Sequence, residues 1–108
     1  MTNGVEPLRA RADGKLYAAD ITMDQYLAVL RSLQPTDNNA CPACGNLHWD
    51  VHRDGSLEDA AEKPVLLAAP SFRNDELKQL FFFTSCSRCG YMRHYRSESI
   101  AQLASKLS

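Results

Sequence analysis

The sequence predicts a small α+β fold in which a three- to four-stranded antiparallel sheet is flanked by an N-terminal and a C-terminal amphipathic helix. Two observations lead to this fold class. Apolar residues recur at helical spacing near both ends of the chain, whereas shorter alternating or continuous apolar runs occupy the middle. In addition, all four cysteines stand in two Cys-x-x-Cys-Gly motifs, each beside a predicted strand.

The length and composition fit one compact domain. The chain has 108 residues, of which 44% are hydrophobic, and its formal net charge of −1 gives no overall attraction to nucleic acid or to anionic membranes. No apolar run is long enough to cross a bilayer, and the first residues lack the apolar segment of a signal peptide. We therefore expect a cytoplasmic protein in which residues 1–40, a polar lead-in with a helix, pack on residues 41–108.

Two helices are predicted. The first covers residues 23–33, with a capping-box pattern at Thr22 and Gln25 and a stop at Pro35. Its apolar face comprises Met23, Tyr26, Leu27, Leu30 and Leu33. The second starts at Ser97 as the N-cap. Its apolar face comprises Ile100, Leu103, Ala104 and Leu107.

The middle of the chain predicts strands. Leu47, Trp49 and Val51 alternate with polar residues, which is typical of a half-buried strand. Residues 64–72 and 77–86 flank a polar turn at 73–76 and predict a hairpin, and residues 91–96 predict the last strand.

The second strand of the predicted hairpin is apolar on both faces. Leu80 and Phe82 lie on one face, and Phe81 and Phe83 lie on the other. A strand of this kind is normally covered on both sides. We therefore expect the two helices, or a partner chain, to cover both faces of the sheet.

The cysteines predict one closed metal site. A Cys-x-x-Cys turn supplies two thiolates from one tight loop, and two such turns complete the ligand set of a structural zinc site. The ligands are Cys41, Cys44, Cys86 and Cys89. Gly45 and Gly90 follow the two turns, where a positive φ is expected. Arg88 and Arg93 stand near the second turn and would offset part of the surplus thiolate charge.

Other readings of the cysteines are weaker. A redox pair does not account for the second motif, disulfides need an oxidising compartment, and iron is the open alternative at an all-thiolate site. Four protein ligands leave no position for a reactive water. One set of four cysteines makes one site, so we expect about one Zn²⁺ per chain. The rest of the sequence has no nucleophile or phosphate-loop motif, so we expect no enzymatic activity. His48, His52 and His94 are expected to be surface residues.

The pattern of two knuckles separated by strands resembles the zinc ribbon. The resemblance extends over residues 41–96 and points to two groups: ribbons of transcription proteins, such as the carboxy-terminal domain of elongation factor S-II, and small bacterial and phage zinc-ribbon proteins. The S-II domain carries an Asp-Glu pair at its hairpin tip that completes a metal site in RNA polymerase. Asp75 and Glu76 occupy the predicted turn here, but the residues after them differ, so a plain polar turn is expected.

Zinc ribbons serve as protein adaptors and as nucleic-acid binders. We expect an adaptor with a protein partner, and the resemblance points to a partner in transcription or other nucleic-acid machinery. The apolar strand or the helices also suit a homodimer. The alternative is direct binding of nucleic acid by the basic and aromatic end of the ribbon. The residues of this predicted contact surface are Arg88, Tyr91, Arg93, His94, Tyr95 and Arg96.

Overall fold

The computed structural model describes residues 5–33, 40–54, 63–73 and 78–107. In chain order it contains a 3-10 helix at Ala18–Asp20, α1 at Met23–Leu33, β1 at Trp49–Val51, β2 at Leu67–Pro70, β3 at Lys78–Cys86, β4 at Met92–Arg96 and α2 at Ser97–Ser105. The predicted small α+β class, with four antiparallel strands and two helices, is confirmed. Neither helix in the described ranges has the length and apolar character needed to cross a membrane.

Strand β3 is the centre of the sheet and pairs antiparallel with the other three strands. Phe81 pairs with both Leu67 and Arg96, and Thr84 pairs with both Val51 and Arg93. Strand β4 therefore lies along one edge of β3, while β1 and β2 follow one another along the other edge. The antiparallel pairing of β2 with β3 that the hairpin requires is confirmed. Asp75 and Glu76, expected in a plain polar turn between these strands, lie outside the described residues.

Both helices pack on the same face of the sheet, which we call the helix face. Phe82 is the β3 residue at its centre, with only 1% of its surface exposed. Its ring lies 5.1 Å from the ring of Tyr26 in α1, and Ile100 and Ala104 of α2 belong to the same buried cluster. The lead-in joins this core through Leu8, whose N–H donates to the carbonyl of Ala104 over 2.9 Å.

The opposite face of the sheet, which we call the open face, is less covered than predicted. Phe81 and Phe83 point to this face and are only half-buried, and neither belongs to the core cluster. Leu80, expected to be covered on the helix face, is 38% exposed. Within the described ranges no helix lies on the open face. The expectation that the helices cover both faces of β3 was therefore wrong for this part of the chain, because both helices pack on the face of Phe82. Cover of the open face by a partner chain stays a prediction.

Helix α1 has the predicted bounds and the predicted capping box. The Thr22 N–H donates to Oε1 of Gln25 over 3.0 Å, and the Gln25 N–H donates to Oγ1 of Thr22 over 3.2 Å. Its buried face differs from the predicted stripe, because Val29 is fully buried and Leu33 is 48% exposed. The contact with Phe82 and α2 rotates the buried face towards Tyr26 and Val29.

Two smaller predictions at element boundaries were wrong. Leu47 was expected on the buried side of β1, but the strand starts at Trp49 and Leu47 is 64% exposed. Ser97 was expected as an N-cap outside α2, but it is the first helical residue and is buried, because the helix follows β4 directly. On the predicted apolar face of α2, Ile100 and Ala104 are buried and Leu103 is half-buried. Leu107 is also buried, but it lies after the helix, which ends at Ser105.

Candidate metal centre

The four cysteine sulfurs form one compact cluster that could hold a metal ion. All four Sγ atoms lie within 4.8 Å of one another. The two contacts between the knuckles measure 3.6 Å for Cys41 and Cys89 and 3.5 Å for Cys44 and Cys86. A tetrahedral zinc ion with Zn–S bonds of about 2.3 Å needs sulfurs about 3.8 Å apart. The sulfurs are therefore already close to the spacing that such an ion requires.

The two knuckles have the same backbone hydrogen bonds. In the first, the Gly45 N–H donates to the Cys41 carbonyl over 2.8 Å, and the Cys41 N–H donates to the Asn46 carbonyl over 2.8 Å. In the second, the corresponding bonds run from Gly90 to Cys86 over 3.0 Å and from Cys86 to Tyr91 over 2.7 Å. The matching motifs in the sequence thus fold into matching loops, and each loop turns its two sulfurs towards the other.

Gly90→Ala is expected to weaken metal binding about 5- to 30-fold, because strain of about 1–2 kcal/mol would fall on the second knuckle. Gly90 has φ = 81°, and a Cβ atom there would meet nothing within 4 Å, so the cost is backbone strain alone. Zinc affinity from competition with a chromophoric chelator measures the effect.

Gly14→Ala is the matched control for Gly90→Ala. Gly14 has nearly the same φ, 80°, and equally open surroundings, but it belongs to the turn between Arg11 and Lys15 in the lead-in. It should lower the unfolding free energy without changing metal affinity. If the two variants lower zinc affinity equally, the knuckle conformation does not determine metal binding.

Backbone N–H groups of the knuckles point at the sulfurs. The Ala43 N–H donates to Sγ of Cys41, and the Arg88 N–H donates to Sγ of Cys86, each over 3.4 Å. Such hydrogen bonds stabilise a thiolate relative to a thiol. The knuckle backbone is therefore suited to negatively charged sulfurs at Cys41 and Cys86.

The cysteines of the second knuckle have pKa values shifted in opposite directions. Hydrogen bonds from the backbone N–H of Cys89, and then of Arg88, lower the pKa of Cys86 to about 6. The backbone N–H of Tyr91 also favours the thiolate of Cys89, but partial desolvation and hydrogen bonds with the other thiols outweigh it and raise the pKa of Cys89 to about 12. Four thiolates at these distances repel one another strongly unless a cation offsets their negative charges. Metal binding must therefore release protons, and affinity must fall as the pH falls.

Burial differs between the first and last cysteine of each knuckle. Cys41 and Cys86 are buried, with 2% and 3% of their surfaces exposed, whereas Cys44 is half-buried and Cys89 is exposed. Four cysteine thiolates suit zinc or iron as ligands. They occupy all four positions of a tetrahedral ion and leave no open position for water or substrate. An ion bound here would hold β1, which starts at Trp49, against the end of β3 at Cys86.

The predicted contact surface is divided between the two faces of the sheet. Because side chains alternate along β4, Arg93 and Tyr95 lie on the helix face, and His94 and Arg96 lie on the open face. Arg88 and Tyr91 are exposed residues of the second knuckle. These six residues therefore do not form one continuous basic surface.

Arg93 makes contacts that the sequence did not reveal. Its guanidinium carbon lies 3.8 Å from the centroid of the Trp49 ring, and its Nη2 donates to the carbonyl of Ala40 over 3.4 Å. This cation–π contact joins β4 to β1 beside the first knuckle. Alternation along β1 predicted an inward-facing Trp49, but nothing in the sequence paired it with Arg93.

The histidines are exposed, as predicted, but two of them contact the phenylalanines of the open face. The ring of His52 stacks on Phe83 at 5.1 Å, and its Nε2 lies 3.0 Å from Oγ of Ser85. The ring of His94 meets Phe81 edge-on at 5.0 Å. Among the described residues, no histidine belongs to a cluster of potential metal ligands.

Asn46 contacts the cysteine cluster although its residue type did not mark it as a site residue. Its amide Nδ2 lies 3.0 Å from Oγ of Ser87 and 3.7 Å from Sγ of Cys86, so it reaches the second knuckle from the end of the first. The only sequence signal is its position directly after Gly45.

Comparison of the chain with protein-family models, with curated proteins and with solved structures found no match.

Proposed function

We propose that this chain is a non-catalytic protein of the zinc-ribbon type that acts as an adaptor, with one zinc ion as a structural element and the open face as the surface for a protein partner. The cluster of four cysteine sulfurs supports the zinc site. The observation that carries the adaptor function is the chemistry of the open face. Phe81 and Phe83 are half-buried at its centre, with an exposed histidine ring against each.

The open face has the composition of a protein contact site. Aromatic side chains with polar neighbours at the rim are typical of such sites, because the rings bury much area at little entropic cost. Leu67 pairs with Phe81 across the strands and extends the apolar area, and Met92, on the same face of β4, is 40% exposed. Asp50 and Arg96 place opposite charges at its edges.

Direct binding of nucleic acid is the second candidate function. The same aromatic rings beside Arg96 and His94 resemble a platform on which bases stack. The charges favour a protein partner instead. Arg93 is already engaged with Trp49 and Ala40, and Nη2 of Arg96 lies 3.8 Å from Oε2 of Glu98. Together with the net charge of −1, this leaves little surplus positive charge to attract phosphate.

A negative charge placed in the middle of the open face distinguishes binding of a protein partner from binding of nucleic acid. We expect His94→Glu to abolish capture of the partner from cell extract, because it puts a carboxylate among the aromatic rings. Gln102→Glu, on the exposed side of α2, adds the same charge away from this face and should capture the same protein as the wild type. Immobilised zinc-loaded variants and quantitative mass spectrometry measure this difference.

Nucleic-acid binding is measured on the same variants by fluorescence anisotropy with single-stranded DNA and RNA. We expect no submicromolar affinity at physiological salt, since non-specific binding is typically about 10⁻⁴ to 10⁻⁶ M. Tight binding that falls with salt and is lost in His94→Glu would replace the adaptor function with the second candidate. Equal capture by all three proteins would exclude the open face as the partner surface.

A further inference from the structure

Asn46 connects the two knuckles in a way that the knuckle fold itself does not require. Its backbone carbonyl accepts the Cys41 N–H over 2.8 Å, which belongs to the first knuckle. Its side-chain amide contacts the second knuckle through Ser87 and Cys86. Tyr91 occupies the equivalent position after the second knuckle, where its carbonyl accepts the Cys86 N–H, but its side chain is 43% exposed. The side-chain contact is therefore specific to Asn46.

The hydrogen bonds around Asn46 leave one of its amide protons for a sulfur. Three acceptors lie near Nδ2: Oγ of Ser87 at 3.0 Å, the carbonyl oxygen of His48 at 3.2 Å and Sγ of Cys86 at 3.7 Å. The His48 carbonyl already accepts the N–H and the hydroxyl of Ser87, each over 3.1 Å. With that carbonyl satisfied, the two amide protons have Ser87 and Cys86 as partners.

A bond to Cys86 gains strength when the sulfur is a metal-bound thiolate. Hydrogen bonds to charged acceptors are roughly twice as strong as those between neutral groups. Cys86 is buried, so the charge on its sulfur is poorly solvated by water and depends on protein donors. The Arg88 N–H is one such donor, and Asn46 supplies another from the opposite knuckle.

We propose that Asn46 is a positioning residue of the metal centre: its amide orients the Cys86 thiolate, offsets part of its charge and thereby raises the affinity for the metal. The inference rests on the proposed metal site. Partners of this kind outside the ligand shell typically contribute about 10- to 100-fold to metal affinity.

The experiment compares Asn46→Asp and Asn46→Ala with Ser87→Ala in the full-length protein. Asn46→Asp keeps the shape of the side chain but replaces the donor amide with a carboxylate. Zinc affinity is measured by competition with a chelator. The probe of the sulfur is Co²⁺, whose thiolate-to-metal charge-transfer band responds to the charge on the ligands. Ser87→Ala removes one partner of the amide while leaving the donor to Cys86 in place.

We expect both Asn46 variants to bind Zn²⁺ about 10- to 100-fold more weakly than the wild type and to shift the Co²⁺ charge-transfer band. Ser87→Ala should bind Zn²⁺ within about threefold of the wild type and keep the band unshifted, since the amide still reaches Cys86. An unchanged band in Asn46→Ala, with or without weaker binding, would overturn the role at the sulfur and leave only a link between knuckles. A wild-type chain that binds neither metal would overturn the metal site itself.

Discussion

Cys86→Ser is expected to abolish stoichiometric zinc binding and to unfold the sheet at the knuckle end of the protein. Cys86 is 3% exposed, ends β3 and pairs with Trp49 of β1, so its sulfur would join a bound metal to the central strand. Structural zinc in small domains contributes about 10–16 kcal/mol of apparent binding free energy, much of which is folding free energy. The three remaining thiols would hold the metal far more weakly and with an open position.

Metal analysis and hydrogen exchange measure the outcome. We expect about one Zn²⁺ per wild-type chain and none in the variant. Amides of β1 and of Thr84, Ser85 and Cys86 should lose protection, whereas those of α1 and α2 should keep theirs, since the core cluster around Phe82 includes no cysteine. Treating the wild type with a chelator should give the same pattern, and added Zn²⁺ should reverse it. A wild-type protein that keeps full protection without metal would contradict a structural role for the site.

The cluster of four cysteines was predictable from sequence because its members come from local motifs. A Cys-x-x-Cys-Gly segment determines its own turn, and both knuckles adopt the same hydrogen bonds. Only the meeting of the knuckles depends on the fold, and strand β3 brings Cys86 opposite Trp49, close to the first knuckle. The Thr22–Gln25 capping box was predictable for the same reason, since both partners lie within one turn of α1.

The face of the sheet on which the helices pack was not predictable in the same way. The run from Leu80 to Phe83 shows that β3 is apolar on both sides, but it does not show on which side a helix packs. The structure places both helices against Phe82 and leaves Phe81 and Phe83 half-buried. Likewise, the charge of Arg93 suggested a contact for phosphate, whereas its position opposite Thr84 directs it to Trp49 on the helix face. Such pairings depend on contacts between distant segments, which periodicity does not encode.

Phe82→Ala is expected to lower the unfolding free energy of the zinc-loaded protein by about 3–5 kcal/mol, as is typical for a buried phenylalanine. The ring is 1% exposed and lies 5.1 Å from that of Tyr26. Tyr26 is itself fixed, because its hydroxyl donates to the carbonyl of Phe83 over 3.2 Å, and burial raises its pKa so that the hydroxyl stays protonated. Truncation at Phe82 therefore leaves a cavity between β3 and both helices.

Phe81→Ala is the matched control, since it removes the same side chain from the neighbouring position on the open face. Phe81 is half-buried and its main aromatic contact is the exposed ring of His94, so we expect a loss of about 1 kcal/mol, near the average for point substitutions. Urea denaturation of the zinc-loaded variants measures both values. Equal losses would mean that the folded chain covers Phe81 as fully as Phe82. The open face would then be part of the protein's own core, and the adaptor function would need another surface.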